Sequence, residues 1–186
     1  MKMLTVLIDA DDTIENLCEE WVKYLNKKHG TSVSFTDIKE WDMAKAFPTI
    51  PRNEVYEPLF DENLWERVTP LPGAVENIKK IIEDGHKVVI VTSSHPYTVA
   101  LKWIYVFERY FPFISIHDVI FSSQKQLIKG DVMIDDAPHN LVGGDYFKLL
   151  YDAPHNQNFD TESYNIARVY NWREVYFAIN YIANNF

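Results

Sequence analysis

Short apolar runs alternating with stretches of helical period constrain this chain more than any other feature. The runs are Leu4 to Ile8, "KVVIVT" (Lys87 to Thr92), "DVIF" (Asp118 to Phe121), "DVMI" (Asp131 to Ile134) and "FKLLYD" (Phe147 to Asp152). Each is bounded by turn or polar residues, and each reads as a strand buried on both faces. Between them, Ala74, Ile78, Ile81 and Ile82 recur at helical spacing after a "PLPG" turn, with Gly85 as a stop. Further helices are predicted from about Tyr97 to Phe111 and from about Trp172 to Ala183. Strand and helix in alternation imply an α/β fold, a doubly wound (Rossmann-like) parallel sheet covered on both faces.

One region departs from that rhythm. Between the first strand and "PLPG" no buried-strand pattern occurs for more than fifty residues. Residues 15 to 29 predict a helix, with Leu17, Trp21 and Leu25 at one-turn spacing and Gly30 to end it. "SFTDIKEWDMAKAF" predicts a second, with Ser34 and Asp37 spaced as a capping box, and Pro48, Pro51 and Pro58 break the downstream stretch into short helices. The expected organisation is a core of residues 1–14 and 71–186, with 15–70 as a small helical cap.

Composition excludes several classes of function. A net charge of −9 with no basic block repels a polyanion, so a nucleic-acid polymer is a poor partner. The hydrophobic content of 47% argues for a folded globule rather than disorder. The lone Cys18 cannot form an intrachain disulfide, no apolar run reaches membrane-spanning length, and "MKMLTVLI" is too short for a signal-peptide core. The expectation is a cytoplasmic protein with no membrane partner.

The first strand breaks into Asp9, Asp11 and Asp12, followed by Thr13. In a doubly wound sheet ligands bind beyond the carboxyl ends of the strands, where Asp135 and Asp136 also stand after "VMI". Two acidic clusters at one edge repel each other unless a cation sits between them, and hard oxygen ligands suit Mg²⁺. At the same edge, Thr92 and Ser93 end "KVVIVT" with groups that hold phosphate oxygens, and Lys125 offers a fixed positive charge. A carboxylate nucleophile, a metal, hydroxyls and a lysine together describe phosphoryl transfer. Each piece has an ordinary rival: a capped turn for Asp9 and Asp11, turn residues for Thr92 and Ser93, a solvated lysine for Lys125. His95, His139 and His155 lack ligand spacing and read as loop or surface residues.

In this order the set resembles the haloacid dehalogenase superfamily of phosphatases: Asp9-Ala10-Asp11-Asp12-Thr13, then Thr92, Lys125 and Asp135-Asp136. "ERYFPFISIHDVIFSSQKQLIKGDVMIDDAPHNL", the "PLPG" turn and the terminal Arg168 and Trp172 are similar to the 5′(3′)-deoxyribonucleotidase family. The chain departs from that family at Asp12, where glycine is usual, and at Asn16, where aspartate is frequent. The resemblance implies that Asp9 attacks phosphorus, that Asp11 protonates the leaving oxygen and later activates water, and that Thr92, Ser93 and Lys125 neutralise the phosphoryl oxygens. It also implies Mg²⁺ held by the Asp9 and Asp135 side chains and the Asp11 carbonyl, with Asp136 as a support behind them. Trp41, Phe60 and Trp65 are most often core residues in a chain this rich in aromatics, but a nucleotide's base calls for an aromatic platform, and among them Trp65, with Trp41, is the preferred candidate. Dimers are common among similar enzymes, so a homodimer is one expectation and oligomeric state stays open. Two other readings remain: a sugar phosphate or other small phosphoester as substrate, and a non-catalytic receiver-like domain, which needs an aspartate where "VTSSH" stands.

Overall fold

A computed structural model describes residues 2–186, so only Met1 of the expected core lies outside the described residues. In chain order the elements are β1 (Thr5–Ile8), α1 (Leu17–His29), α2 (Arg52–Tyr56), α3 (Glu62–Trp65), α4 (Ala74–Glu83), β2 (Lys87–Thr92) and α5 (Val99–Lys102). They continue with β3 (Val119–Phe121), β4 (Val132–Asp135), α6 (Pro138–Leu141), β5 (Phe147–Tyr151), β6 (Ile166–Val169) and α7 (Trp172–Asn185). The strands form one sheet in the order β3-β2-β1-β4-β5-β6, parallel throughout. This is the expected α/β architecture. Strand order reverses between β1 and β4, with later strands added outward on either side, so the crevice of a doubly wound fold opens at their carboxyl ends.

All five apolar runs form strands, but β6 escapes the pattern. Its sequence is IARV, with Ala167 exposed and Arg168 donating to Asp152 (2.8 Å) and Asn156 (2.6 Å). As an edge strand it buries too little to resemble a core run. The other edge, β3, likewise leaves Ile120 partly exposed, against the expectation of burial on both faces.

The two faces are covered unequally. Val6, Ile8, Ile90, Val132 and Ile134 pack against α4 and α7 in one large cluster. Leu7, Val91, Met133 and Leu150 point to the opposite face, where the short α6 and loop residues such as Ile128 and Phe159 cover them. Long helices therefore cover one face only, and the expected helical layer on the second is reduced to short pieces.

The helix predicted from Tyr97 to Phe111 forms with a widened middle. A 3₁₀ turn (Pro96–Thr98) leads into α5, and Trp103–Glu108 then adopts π-helical geometry, which frequently accompanies functional sites.

The segment between β1 and α4 leaves and rejoins the sheet at one point. The Asn16 N–H donates to the Thr69 carbonyl (3.1 Å), the Thr69 N–H to the Asn16 side chain (2.7 Å), and the Leu71 N–H to the Ile14 carbonyl (2.9 Å). Helix α1 buries Leu17, Trp21 and Leu25, and Gly30 ends it in the left-handed conformation that costs glycine least. "SFTDIKEWDMAKAF" is not a helix but two 3₁₀ turns, Phe35–Asp37 and Met43–Lys45, although the Ser34/Asp37 capping box is present. Ile38 and Met43 are both buried, and five residues of α-helix would turn them to different sides, so a continuous helix cannot bury both. Among the described residues, no helix is long and apolar enough to cross a membrane.

Candidate active site

Strand register brings the two acidic clusters together. Ile8 of β1 pairs with Ile134 of β4, and the Asp9 N–H donates to the Ile134 carbonyl (2.9 Å), which sets Asp9 beside Asp135. Lys125 arrives from the 3₁₀ turn Lys125–Leu127 between β3 and β4. Its ammonium, itself buried, lies 2.5 Å from Asp9 Oδ1 and 2.7 Å from Asp135 Oδ2. Burial works against that charge, yet Asp9 and Asp135 hold the lysine above its ordinary pKa.

Asp135 and Asp136 differ in what their oxygens do. Asp135 Oδ1 accepts from the Ala137 N–H (2.9 Å) and the Asn140 side chain (3.0 Å), and Oδ2 accepts from Lys125, so both oxygens are committed. Asp136 lines the cleft, with Oδ2 3.2 Å from His155 Nε2 and Oδ1 3.4 Å from the Thr13 hydroxyl. Sequence reasoning made Asp135 the metal ligand and Asp136 its support. Both carboxylates have hydrogen-bond partners on each oxygen, but Asp136 lines the cleft and Asp135 does not, which makes Asp136 a candidate ligand as well. His155 is also not a plain loop residue. Burial disfavours its charged form, but the hydrogen bonds to Asp136 and the charge of that carboxylate together outweigh it and raise its pKa.

One oxygen from each of Asp9, Asp135 and Asp136 lies within 4.8 Å of the others. Burial, with the neighbouring carboxylates, drives the Asp9 carboxyl well above its usual range despite the pull of Lys125. One lysine is therefore too little countercharge for this cluster, and a hard divalent cation among the oxygens fits the donor set.

A second buried cation was not anticipated. Lys102, 1% exposed, donates to Asp11 Oδ2 (2.8 Å) and to the Thr92 hydroxyl oxygen (2.9 Å). Burial alone would raise the Asp11 pKa, but Lys102 and a hydrogen bond from Glu15 lower it below the usual carboxylate value. Glu15 is fully buried, and burial together with the Asp11 charge raises its pKa well above the ordinary carboxyl value. Asp11 Oδ1 and Glu15 Oε1 have no other partner, and a proton shared between the two carboxyls would satisfy both. A signal for Lys102 existed in "TVALKWIYVF", where one charge interrupts an apolar helical stretch.

Beside these groups lies a cleft of about 220 Å³. Asp9, Asp11, Asp12, Ser93, Lys125 and Asp136 line the sheet side. Leu17, Trp21, Ile38, Met43, Tyr56 and Leu59 face them from the inserted segment. Ser93 thus reaches the cleft, whereas Thr92 is fully buried behind it against Lys102. Asp12 adopts a left-handed backbone (φ 55°), which explains why glycine would suit this position. Its carboxylate caps α1 by accepting from the Cys18 N–H (2.9 Å).

The two tryptophans part company. Trp65 is 1% exposed, and its indole N–H donates to the Leu59 carbonyl (2.8 Å). It packs behind Lys102 and does not line the cleft, so the preferred stacking platform is a core residue. Trp41 is 66% exposed at the cleft and meets His139 of α6 edge to face at 5.4 Å. Phe60 makes a similar contact with His95 (5.3 Å). The inserted segment is thus clasped to the sheet domain by two aromatic pairs.

Comparison with known proteins places these features in context. The family model described as 5′ nucleotidase, deoxy (pyrimidine), cytosolic type C protein matches residues 2–186. A 5′(3′)-deoxyribonucleotidase of Bacillus subtilis is 34% identical over 171 residues, covering 91% of this chain and 95% of that protein. One from Clostridium acetobutylicum is 31% identical over 158 residues, covering 85% and 87% respectively. Among solved structures, a HAD family hydrolase from Deinococcus radiodurans R1 with bound phosphate and sodium superposes with a TM-score of 0.68 at 15% identity, covering 97% of this chain and 96% of that one. A haloacid dehalogenase-like hydrolase from Streptococcus pneumoniae gives 0.66 at 13% identity, covering 95% and 98%. At those identities the structural matches speak to the fold alone.

Proposed function

The chain belongs to the family of cytosolic type C deoxy(pyrimidine) 5′ nucleotidases, and from that premise we propose that it hydrolyses (deoxy)ribonucleoside monophosphates to nucleoside and phosphate. Membership makes it a phosphoric monoester hydrolase. One observation carries the finer reading: Asp9, clamped by Lys125 beside Asp135 and Asp136, opens onto a cleft whose far wall is apolar and aromatic. Such a wall suits a planar base better than a sugar bearing only hydroxyls.

Asp9 attacks phosphorus, the bond to the leaving oxygen breaks, and that oxygen takes a proton from Asp11. Because Lys102 favours Asp11 as a carboxylate, that proton is supplied through Asp11 by the neighbouring buried carboxyl of Glu15, whose pKa is raised, and the second half returns it. In the second half, water attacks the aspartyl phosphate, its proton passes to Asp11, and the bond between Asp9 and phosphorus breaks. Lys125 and Ser93 neutralise and orient the phosphoryl oxygens, and Thr92 supports them from below. The Asp9 and Asp136 side chains and the Asp11 carbonyl would hold Mg²⁺, with Asp135 positioning Lys125 and Asn140. When bound, Mg²⁺ supplies the positive charge against which Asp9 and the phosphoryl group come together. Residues 15–70 form a cap on the core, hinged where Asn16 and Thr69 meet.

The test is phosphate release from a panel of 5′ and 3′ nucleoside monophosphates and sugar phosphates with Mg²⁺. Nucleotides should give the higher kcat/KM, and a consistent preference for sugar phosphates would overturn the substrate assignment.

A further inference from the structure

Lys102 is buried, bonded on two sides, and has no part in the phosphate contacts assigned above. Its ammonium carries three N–H donors. One goes to Asp11 Oδ2 (2.8 Å) and one to the Thr92 hydroxyl oxygen (2.9 Å), and the ring centroid of Trp65 lies 6.0 Å away. Thr92 is the last residue of β2, so this anchor is as rigid as the sheet itself. Asp11, by contrast, stands on the loop after β1, where the backbone turns at Asp12 into the left-handed region and then into the inserted segment. A carboxylate on such a loop has rotamer freedom unless something holds it, and Lys102 ties it to the end of a central strand.

We propose that Lys102 is the positioning residue for proton transfer by Asp11, acting through that carboxylate and not on the substrate. Lys102 closes α5 immediately before the π-helical turn Trp103–Glu108, so the wider turn begins next to the residue that must reach inward. Thr92 fixes the ammonium, and the ammonium fixes Asp11. The inference rests on the proposed aspartyl-phosphate chemistry, in which Asp11 acts twice. In the first step the phosphorus–oxygen bond breaks as the leaving oxygen takes its proton. In the second, attacking water gives its proton to Asp11 as the bond between Asp9 and phosphorus breaks.

p-Nitrophenyl phosphate separates the two steps, because p-nitrophenolate departs without a proton while the second step still needs Asp11. In Lys102→Met, rapid mixing with this substrate and Mg²⁺ should release one p-nitrophenolate per active site in a burst. Turnover should then run about 10²-fold below wild type, as expected for lost general base catalysis. Asp11→Asn should give the same burst. Combining the two changes should add little to either, because they remove one function, and the double variant also avoids leaving one charge buried without its partner. A merely structural lysine would lower burst amplitude and steady rate together, or would multiply the Asp11→Asn loss, and either result would overturn the proposal. Asp9→Asn in the same assay distinguishes the underlying reading: if it retains a burst, the aspartyl-phosphate chemistry fails, whatever Lys102 does.

Discussion

The ends of β1 and β4 and the inserted segment face each other across one cleft, but they are built on different principles. At the strand ends, Asp9, Asp135 and Lys125 are nearly inaccessible, and each has a partner set by sheet register. Beyond α1 the insertion is made of short helices and 3₁₀ turns, and what it presents depends on which aromatic each turn buries. Trp65 goes inward and Trp41 outward, although both lie in the same segment. The difference teaches that a backbone ladder fixes the reacting groups, while packing alone chooses the groups that meet the rest of the substrate.

The largest effect should come from the strand side. Asp9→Asn should lower kcat by about 10⁶-fold, as for loss of another activated nucleophile, while leaving thermal unfolding close to wild type. Turnover near the wild-type rate in a folded Asp9→Asn protein would end the assignment of the nucleophile.

On the insertion side, Trp65→Ala should cost about 3–5 kcal/mol of stability, because it empties a buried aromatic site. Denaturant unfolding measures this directly. A stable Trp65→Ala variant with impaired nucleotide binding would restore Trp65 to the cleft and undo the contrast between the two tryptophans.

The division of labour between the paired aspartates is the next test. Asp136→Ala should raise the Mg²⁺ concentration needed for half-maximal activity by more than the roughly 10- to 100-fold that loss of a group behind the ligands costs, and chelation of wild type should abolish activity until Mg²⁺ is returned. Asp135→Ala should also lower thermal stability, since Lys125, Asn140 and the Ala137 N–H all lose an acceptor. If Asp135→Ala alone shifted the metal requirement, Asp135 would be the ligand and Asp136 its support.

The smallest expected effect is at the rim. If Trp41 stacks on a base, its removal forfeits about 1–3 kcal/mol. Trp41→Ala should then lower kcat/KM for nucleotides about tenfold or more, leaving p-nitrophenyl phosphate within about twofold of wild type. Equal losses on both substrates would mean that the Trp41–His139 contact holds the insertion in place.

Much of the core was legible because buried strands and charge are hard to reconcile. An apolar run that ends abruptly in carboxylates announces both a strand and the edge where its chemistry sits, and Asp9 and Asp135 were found that way, whereas Lys125 entered as a lysine ahead of "DVMI" able to offset their charge. β6 was missed because an edge strand needs little burial, and Arg168 makes its sequence look like a loop. Lys102 and Glu15 were missed because single charged residues in helical or turn sequence are usually solvated. Their significance lies in being buried together against Asp11.

Sequence by itself determined the α/β class, the strand-end placement of the carboxylates and the existence of an insertion after β1. Periodicity and the cost of burying charge act locally, within a few residues of the groups concerned. Tertiary structure alone decided that Asp136 and not Asp135 lines the cleft, that Lys102 reaches Asp11, and that Trp41 stands at the rim while Trp65 is enclosed. Each of those outcomes depends on groups distant along the chain, such as Asn140 and His155 around the aspartate pair and Thr92 beside Lys102. Such contacts form only when the whole sheet closes, and no local pattern of residues encodes which oxygen or ring they leave facing the substrate.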